Sequence, residues 1–164
     1  GYLGGINRRI DFSLLENVVA HEPEWSFVFI GPDEGSEAVK RLQAMDNVYF
    51  LGEKDHKHVP SYLSEFDVCI VPFRIIELLA SPIKLFDYLW AGKPVVSTPF
   101  AGLNVFQKYV YIASDSSTFR QRIRDAISED NEKAAEKRKV VASDNSWDKR
   151  FYELRGLLQE QGLL

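Results

Sequence analysis

The chain has 164 residues, 45% hydrophobic and 27% charged, which suits one domain with a sizeable core. A net charge of −4 argues against nucleic acid as a partner, and a single cysteine excludes a disulfide framework. No apolar run reaches the ~18 residues of a membrane span, so a reducing, cytoplasmic setting fits.

In chain order, β-rich apolar runs alternate with helical patterns. YLGGI (2–6) precedes a helix from about Asp11 to His21. SFVFIG (26–31) precedes one from about Ser36 to Ala44, and NVYFLG (47–52) a short one near Val59 to Glu65. DVCIVPF (67–73) carries Cys69, which reads as a core thiol rather than a nucleophile. A helix follows in SPIKLFDYLWAG. Ser81 suits its N-cap, Pro82 its first position and Gly92 its C′ position, with Pro94 blocking continuation. KPVVST (93–98) and VYIAS (110–114) complete six strands. From about Ser117 the chain reads as helical, and the charged run SEDNEKAAEKRK (128–139) as a solvated helix face with the turn before it. A last helix, about 146–162, places Trp147, Phe151, Leu154 and Leu158 on one face, expected to pack on this domain. Residues 1–164 read as a single domain, and the start at Gly1 in a strand-like run suggests excision from a longer protein.

Continuous Val/Ile/Phe strands alternating with helices predict an α/β fold. It is a Rossmann-like parallel sheet of about six strands with helices on both faces. Such sheets bind ligands beyond the carboxyl ends of their strands. Three features fall there.

The helix after the fourth strand carries Lys84, Asp87, Tyr88 and Ala91 on one narrow stripe among Ile83, Leu85, Phe86, Leu89 and Trp90. A polar slot on an apolar helix suggests a cleft lining; the plain alternative is a solvated Lys84–Asp87 pair. Free N–H groups at Ile83 and Lys84 suit a phosphate-sized anion, and Asp87, roughly 7.5 Å beyond Pro82, could reach the ribose of the same nucleotide. The run Gly4-Gly5-Ile6-Asn7-Arg8-Arg9 lets a ligand approach the backbone and offers arginines to a phosphate, unless these are ordinary surface arginines. It is not a G-x-G-x-x-G fingerprint. His56 and His58 lack a third ligand at suitable spacing, so no metal site is expected.

GYLGGINRRIDFSLLENV, FVFIGP, NVYFLGEKDHKHVPSYLSEFDVCIVPF, SPIKLFDYLWAGKPVVSTPF and NSWDKRFYEL together resemble the C-terminal, donor-binding domain of a GT-B-fold glycosyltransferase. The likeness is to bacterial enzymes that build capsule, exopolysaccharide or teichuronic acid chains. It implies a nucleotide-sugar donor, UDP-linked, with neither cofactor nor metal. It implies that Asp87 grips the ribose, where the family normally has glutamate, and that Ser81, Pro82, Ile83 and Lys84 meet the diphosphate. Gly5 with Arg8 or Arg9 matches the basic loop after the first strand, Gly52 and Glu53 the loop beside the base, and Arg74 a position facing sugar or phosphates. Arg8, Arg9 and Lys84 would stabilise the leaving group. Two features depart from the family: Leu79 stands where many retaining members carry a second acid, with Glu77 two residues away, and the usual Arg/Lys pair of the first loop is not plainly present. The resemblance further implies an absent N-terminal domain, a glycan or lipid-linked acceptor, and peripheral association with the inner membrane face through that domain. The alternatives are a nucleotide-sugar epimerase of the same architecture and a non-catalytic flavodoxin-like or receiver-like module. A receiver needs acids after the first strand and an aspartate closing the third, where this chain has glycines and Leu51-Gly52-Glu53.

Overall fold

The computed structural model describes residues 1–75, 82–100 and 102–163. The expected N-cap Ser81, with Glu77 and Leu79, lies outside these residues. Strands β1 (Tyr2–Leu3), β2 (Phe27–Ile30) and β3 (Val48–Phe50) form one parallel sheet in the order β1-β2-β3. Strands β4 (Cys69–Val71), β5 (Val95–Ser97) and β6 (Val110–Ile112) form a second, in the order β4-β5-β6. Register places Tyr2 opposite Phe29, Phe27 opposite Val48, and Val95 between Cys69 and Val110.

The two sheets meet at β1 and β4. Ile70 donates to the Gly1 carbonyl at 2.9 Å, and the Gly1 amine donates to the Val68 carbonyl at 2.7 Å. The strands therefore run 3-2-1-4-5-6, with the switch point of a doubly wound sheet between β1 and β4. The expected six parallel strands are present as two ladders of three. β1 is only two residues long because Gly4 turns out of strand geometry at φ +116°, which leaves little backbone to carry a second ladder.

Helices α1 (Phe12–Ala20), α2 (Glu37–Gln43), α3 (Val59–Ser64), α4 (Lys84–Trp90), α5 (Ser116–Glu129) and α6 (Glu132–Asp144) surround the strands, and α7 (Trp147–Glu160) ends the chain. Five of these helices start at side-chain caps: Asp11, Ser36, Asp115, Asn131 and Ser146 each accept from a backbone N–H three residues on. One core runs through both sheets, with Phe29 and Ile30 beside Leu15 and Val18, and Val95 and Val96 beside Phe119 and Ile123 all buried. Cys69 is buried within it as expected, and burial pushes its thiol up to about 12, so it is inert at neutral pH.

α4 begins at Lys84, two residues later than the Pro82 start read from the sequence. Leu85 donates to Pro82 at 3.0 Å and Phe86 to Ile83 at 2.9 Å, so a tight turn precedes the helix proper. Its end is as expected: Gly92, at φ +74°, lets Lys93 donate back to Tyr88 at 3.0 Å. The facing differs from the reading. Tyr88, placed on the polar stripe, is fully buried, and its hydroxyl accepts from the Leu3 N–H at 2.7 Å. Ile83 and Trp90, grouped with the apolar positions, are 69% and 61% exposed. Helix α4 therefore buries Leu85, Tyr88 and Leu89, with a polar tip satisfied inside. Tyr88→Phe is expected to cost about 1–2 kcal/mol in urea unfolding, because it strands the Leu3 N–H; an unchanged midpoint would mean that the strand finds another acceptor.

Two further readings are corrected at the C-terminal end. Arg138, in the run read as solvated, is buried: it donates to the Gly92 carbonyl at 2.8 Å and pairs with Asp130. The apolar face of α7 does not pack on the domain, since Trp147 is 78% exposed and Phe151 and Leu154 are also exposed. The cause is local. Asn145 closes α6 by bonding back to Val141 at 2.8 Å, and Ser146 caps a new helix, so the chain changes direction before the apolar face begins.

Candidate functional site

At the carboxyl ends of β1, β2 and β3 lies an open cavity of about 310 Å³. Leu3, Gly4, Ile30 and Gly31 form its floor, Glu53, Lys54, His56 and Val59 one wall, and Ile83, Lys84 and Asp87 of α4 the other. The floor depends on two glycines. Gly4 donates to Ile30 at 2.8 Å, and Gly31 donates to Gly52 at 2.9 Å, which ties the ends of the three strands together. A Cβ on Gly31 would lie 2.3 Å from the Gly4 carbonyl oxygen, and a Cβ on Gly4 would lie 2.9 Å from the Lys84 ammonium. Only backbone fits there, so a ligand can approach main chain closely.

Lys84 is mostly buried in the wall. Its Nζ is 2.5 Å from the Tyr2 hydroxyl, 3.8 Å from the Tyr2 ring centre and 5.1 Å from that of Phe73. Among the described residues no carboxylate pairs with it, so the surface Lys84–Asp87 bridge is not what forms. Burial, and then the charge of Arg9, bring its amine down to about 7. Burial also pushes the Tyr2 hydroxyl well above its ordinary value. Asp87 is half-buried, and burial raises its carboxyl above the usual carboxylate range against the opposing pull of His56. Among the described residues the wall thus holds a lysine without a carboxylate partner and an acid that gives up its proton reluctantly, the condition of groups awaiting a polar ligand.

The depressed amine has a consequence for stability. Between its folded value of about 7 and the ordinary 10.5, the unfolded chain binds more protons at this lysine than the folded one. This penalty is full below about pH 7 and is relieved as pH rises through that window. The stability difference between wild type and Lys84→Met should therefore move in favour of wild type by about 1 kcal/mol from pH 7.5 to 8.5. Parallel unfolding curves at the two pH values check this, and no drift would place the lysine in water.

The sequence-predicted residues distribute as follows. Lys84, Asp87, Ile83 and Glu53 come together in the cavity. Gly52 stands beside it, its carbonyl held by Gly31. Gly5 lies behind the floor, accepting from the Tyr2 hydroxyl at 2.9 Å, and Gly4 takes the lining position instead. Arg8 and Arg9 are exposed on the loop after β1; the Arg8 N–H is bound to Glu34 at 3.2 Å. Arg74 is exposed, and its N–H donates to the Arg9 carbonyl at 2.8 Å, which joins the loops after β4 and β1. Pro82 precedes α4, and Ser81 is outside the described residues. The sequence reading missed Tyr2, Gly31, Lys54 and Val59, and weighed His56 only as a metal ligand. For Gly31 a signal existed, a glycine closing the second strand; Tyr2 carried none. Among the described residues no cluster of three potential metal ligands occurs.

A second, larger groove of about 600 Å³ adjoins the first and shares Ile83 and Asp87 with it. Trp90, Trp147 and Phe86 give it an apolar lining, and the Arg150 guanidinium lies 5.1 Å above the Phe86 ring.

The family model described as "Glycosyl transferases group 1" matches residues 6–129, well over half of the chain. TuaH of Bacillus subtilis (strain 168), a teichuronic acid biosynthesis glycosyltransferase by name, is 36% identical over 116 residues, spanning 68% of this chain and 29% of that protein. Anabaena Alr3699/HepE, crystallised in complex with UDP-glucose, superposes with a TM-score of 0.63 at 19% identity, over 87% of this chain and 44% of that one. The O-GlcNAc transferase of Thermobaculum terrenum gives 0.67 at 15% identity, over 99% and 36%. The chain thus spans less than half the length of these relatives, and its fold is one Rossmann-like half of theirs.

Proposed function

Because the chain belongs to the group 1 glycosyl transferases, we propose that its cavity holds the donor of a sugar transfer, a nucleoside-diphosphate sugar with uridine as base. One observation carries the reading: Lys84, which no carboxylate contacts among the described residues, and Asp87 stand one turn apart on a wall above a glycine floor. Lys84 meets the diphosphate, with Arg9 at the mouth. Asp87 accepts from the vicinal ribose hydroxyls. The loop from Glu53 to Val59 borders the base, and Arg8 and Arg74 lie within reach of the outer phosphate and sugar. When the glycosidic bond breaks, negative charge grows on the departing diphosphate. Fixed cations and N–H groups stabilise it, and the reading assigns no metal to that task.

Anabaena HepE crystallised with UDP-glucose, and an Escherichia coli trehalose-6-phosphate protein bound with UDP-2-fluoro glucose, support uridine. The acceptor, a glycan or lipid-linked sugar, and any base that activates it belong in this reading to the rest of a longer enzyme. The uncovered face of α7 and the adjoining apolar groove offer that part a surface. Among the described residues no helix is long and apolar enough to cross a membrane. We place the enzyme in the cytoplasm, with contact at the inner membrane face made by the rest of the protein.

Calorimetric titration with UDP, GDP and ADP tests the assignment. UDP is expected to bind most tightly, and absence of binding by all three at millimolar ligand would overturn it. Incubated alone with a UDP-sugar and a glycan acceptor, the 164-residue chain should transfer nothing.

A further inference from the structure

Lys84 has surroundings that an ordinary phosphate-binding lysine lacks. From β1 it faces the Tyr2 hydroxyl at 2.5 Å and the Tyr2 ring, and from the residues after β4 the face of Phe73. From the loop after β1 it feels the like charge of Arg9. On its own helix Asp87 is one turn on, partly exposed to solvent. Across the cavity stand Glu53, Lys54 and His56, whose formal charges nearly offset one another. No carboxylate contacts the ammonium among the described residues, and the Gly4 backbone closes one side so tightly that a Cβ there would lie 2.9 Å from Nζ. Tyr2, Phe73 and the Gly4 backbone cover much of the amine, and the aromatic faces return only part of the lost hydration. Tyr2 suits either protonation state: its O–H donates to the Gly5 carbonyl at 2.9 Å, and its oxygen accepts an N–H from Lys84 whether that group is an amine or an ammonium.

We propose that Lys84 loads a proton as the donor binds: it rests as a neutral amine on Tyr2 and becomes an ammonium when a diphosphate diester enters the cavity. The inference rests on the nucleotide-sugar reading of this cavity and adds its regulation by pH. The proton comes from solvent, the free lone pair of the amine takes it up as a new N–H bond, and the N–H already donated to Tyr2 stays in place. The diphosphate supplies the anion that the empty wall lacks, so the charged form is favoured only in the complex. Burial and Arg9, which set the amine to about 7 in the empty site, leave it mostly unprotonated at slightly alkaline pH. Release of the nucleotide reverses the step and returns the proton.

The test is calorimetry of UDP-glucose binding to this chain at pH 8.5, in buffers of low and high ionisation enthalpy. UDP-glucose is chosen because its diphosphate diester has no proton to exchange near neutrality. Close to one proton should be taken up per nucleotide sugar, falling to about half near pH 7, and affinity should fall about tenfold per pH unit above that point. Lys84→Arg, whose charge is permanent, should bind without uptake and with a flat pH profile. Lys84→Met should bind more weakly, also without uptake. If neither variant folds, the wild-type profile still decides. Tight binding with no buffer dependence at pH 8.5, or uptake that persists in Lys84→Arg, overturns the proposal and leaves the nucleotide assignment standing. No binding at any pH overturns both.

Discussion

Replacing Gly31 by alanine is expected to destabilise the domain by about 3–5 kcal/mol, near the upper end for a single methyl group. Two costs add. Gly31 sits at φ +141°, a region in which a side chain is strained by about 1–3 kcal/mol. Its new Cβ would also lie 2.3 Å from the Gly4 carbonyl oxygen and 2.7 Å from the carbonyl carbon. Those are backbone atoms, and Gly4 is itself bonded to Ile30 at 2.8 Å, so neither side can yield without parting β1 from β2. Gly52→Ala provides the control: it also has positive φ, +69°, but no atom lies within 4 Å of its Cβ position. It should lose only about 1–2 kcal/mol. Urea unfolding of both variants separates steric contact from backbone preference. Equal losses would mean that the strand ends part easily and that the cavity floor is not fixed by the Gly31–Gly4 approach.

Asp87→Asn is expected to weaken UDP binding by about 1.5–3 kcal/mol, roughly ten- to 150-fold in Kd, the range for hydrogen bonds to a charged group. The domain should lose no stability. Burial holds the Asp87 carboxyl above its usual value, so at pH 7 the folded state carries a charge it disfavours. That penalty is present above the folded pKa and vanishes as pH falls below the unfolded one, so the neutral amide should leave the protein unchanged or slightly more stable. The gain stays under about 1 kcal/mol because the side chain keeps part of its contact with water. Melting temperature and UDP affinity measured side by side give a distinctive pair of results, binding down and stability level or up. Unchanged affinity would remove Asp87 from the site; a large fall in stability would make it structural.

The element order was legible because each signal was local. Val/Ile/Phe runs marked the strands, and Asp11, Ser36 and Gly92 marked helix ends through bonds to their own neighbours. Lys84 and Asp87 stood out because charge on an apolar helix has few explanations. What stayed hidden depended on contacts across the sequence. Tyr88 looked polar because its spacing matched Lys84, yet its hydroxyl finds Leu3, 85 residues away. Tyr2 looked like an ordinary strand residue until a lysine 82 positions on was laid over it. Arg138 was lost in a charged run because its acceptor, the Gly92 carbonyl, lies 46 residues upstream. The exposed face of α7 could not be read from periodicity, which shows that a face is apolar and not whether anything covers it.

The bond from Leu3 to the Tyr88 hydroxyl does more than satisfy a buried pair. It pins the helix that bears Lys84 and Asp87 to the strand that leads into Gly4, with the phenol acting as a strut between two halves of one binding surface. The distance between the Asp87 carboxylate and the glycine floor is therefore set before any ligand arrives. Little ordering entropy is left to be lost on capture, so nucleotides that differ in fit should enter at similar speeds and differ chiefly in how long they stay.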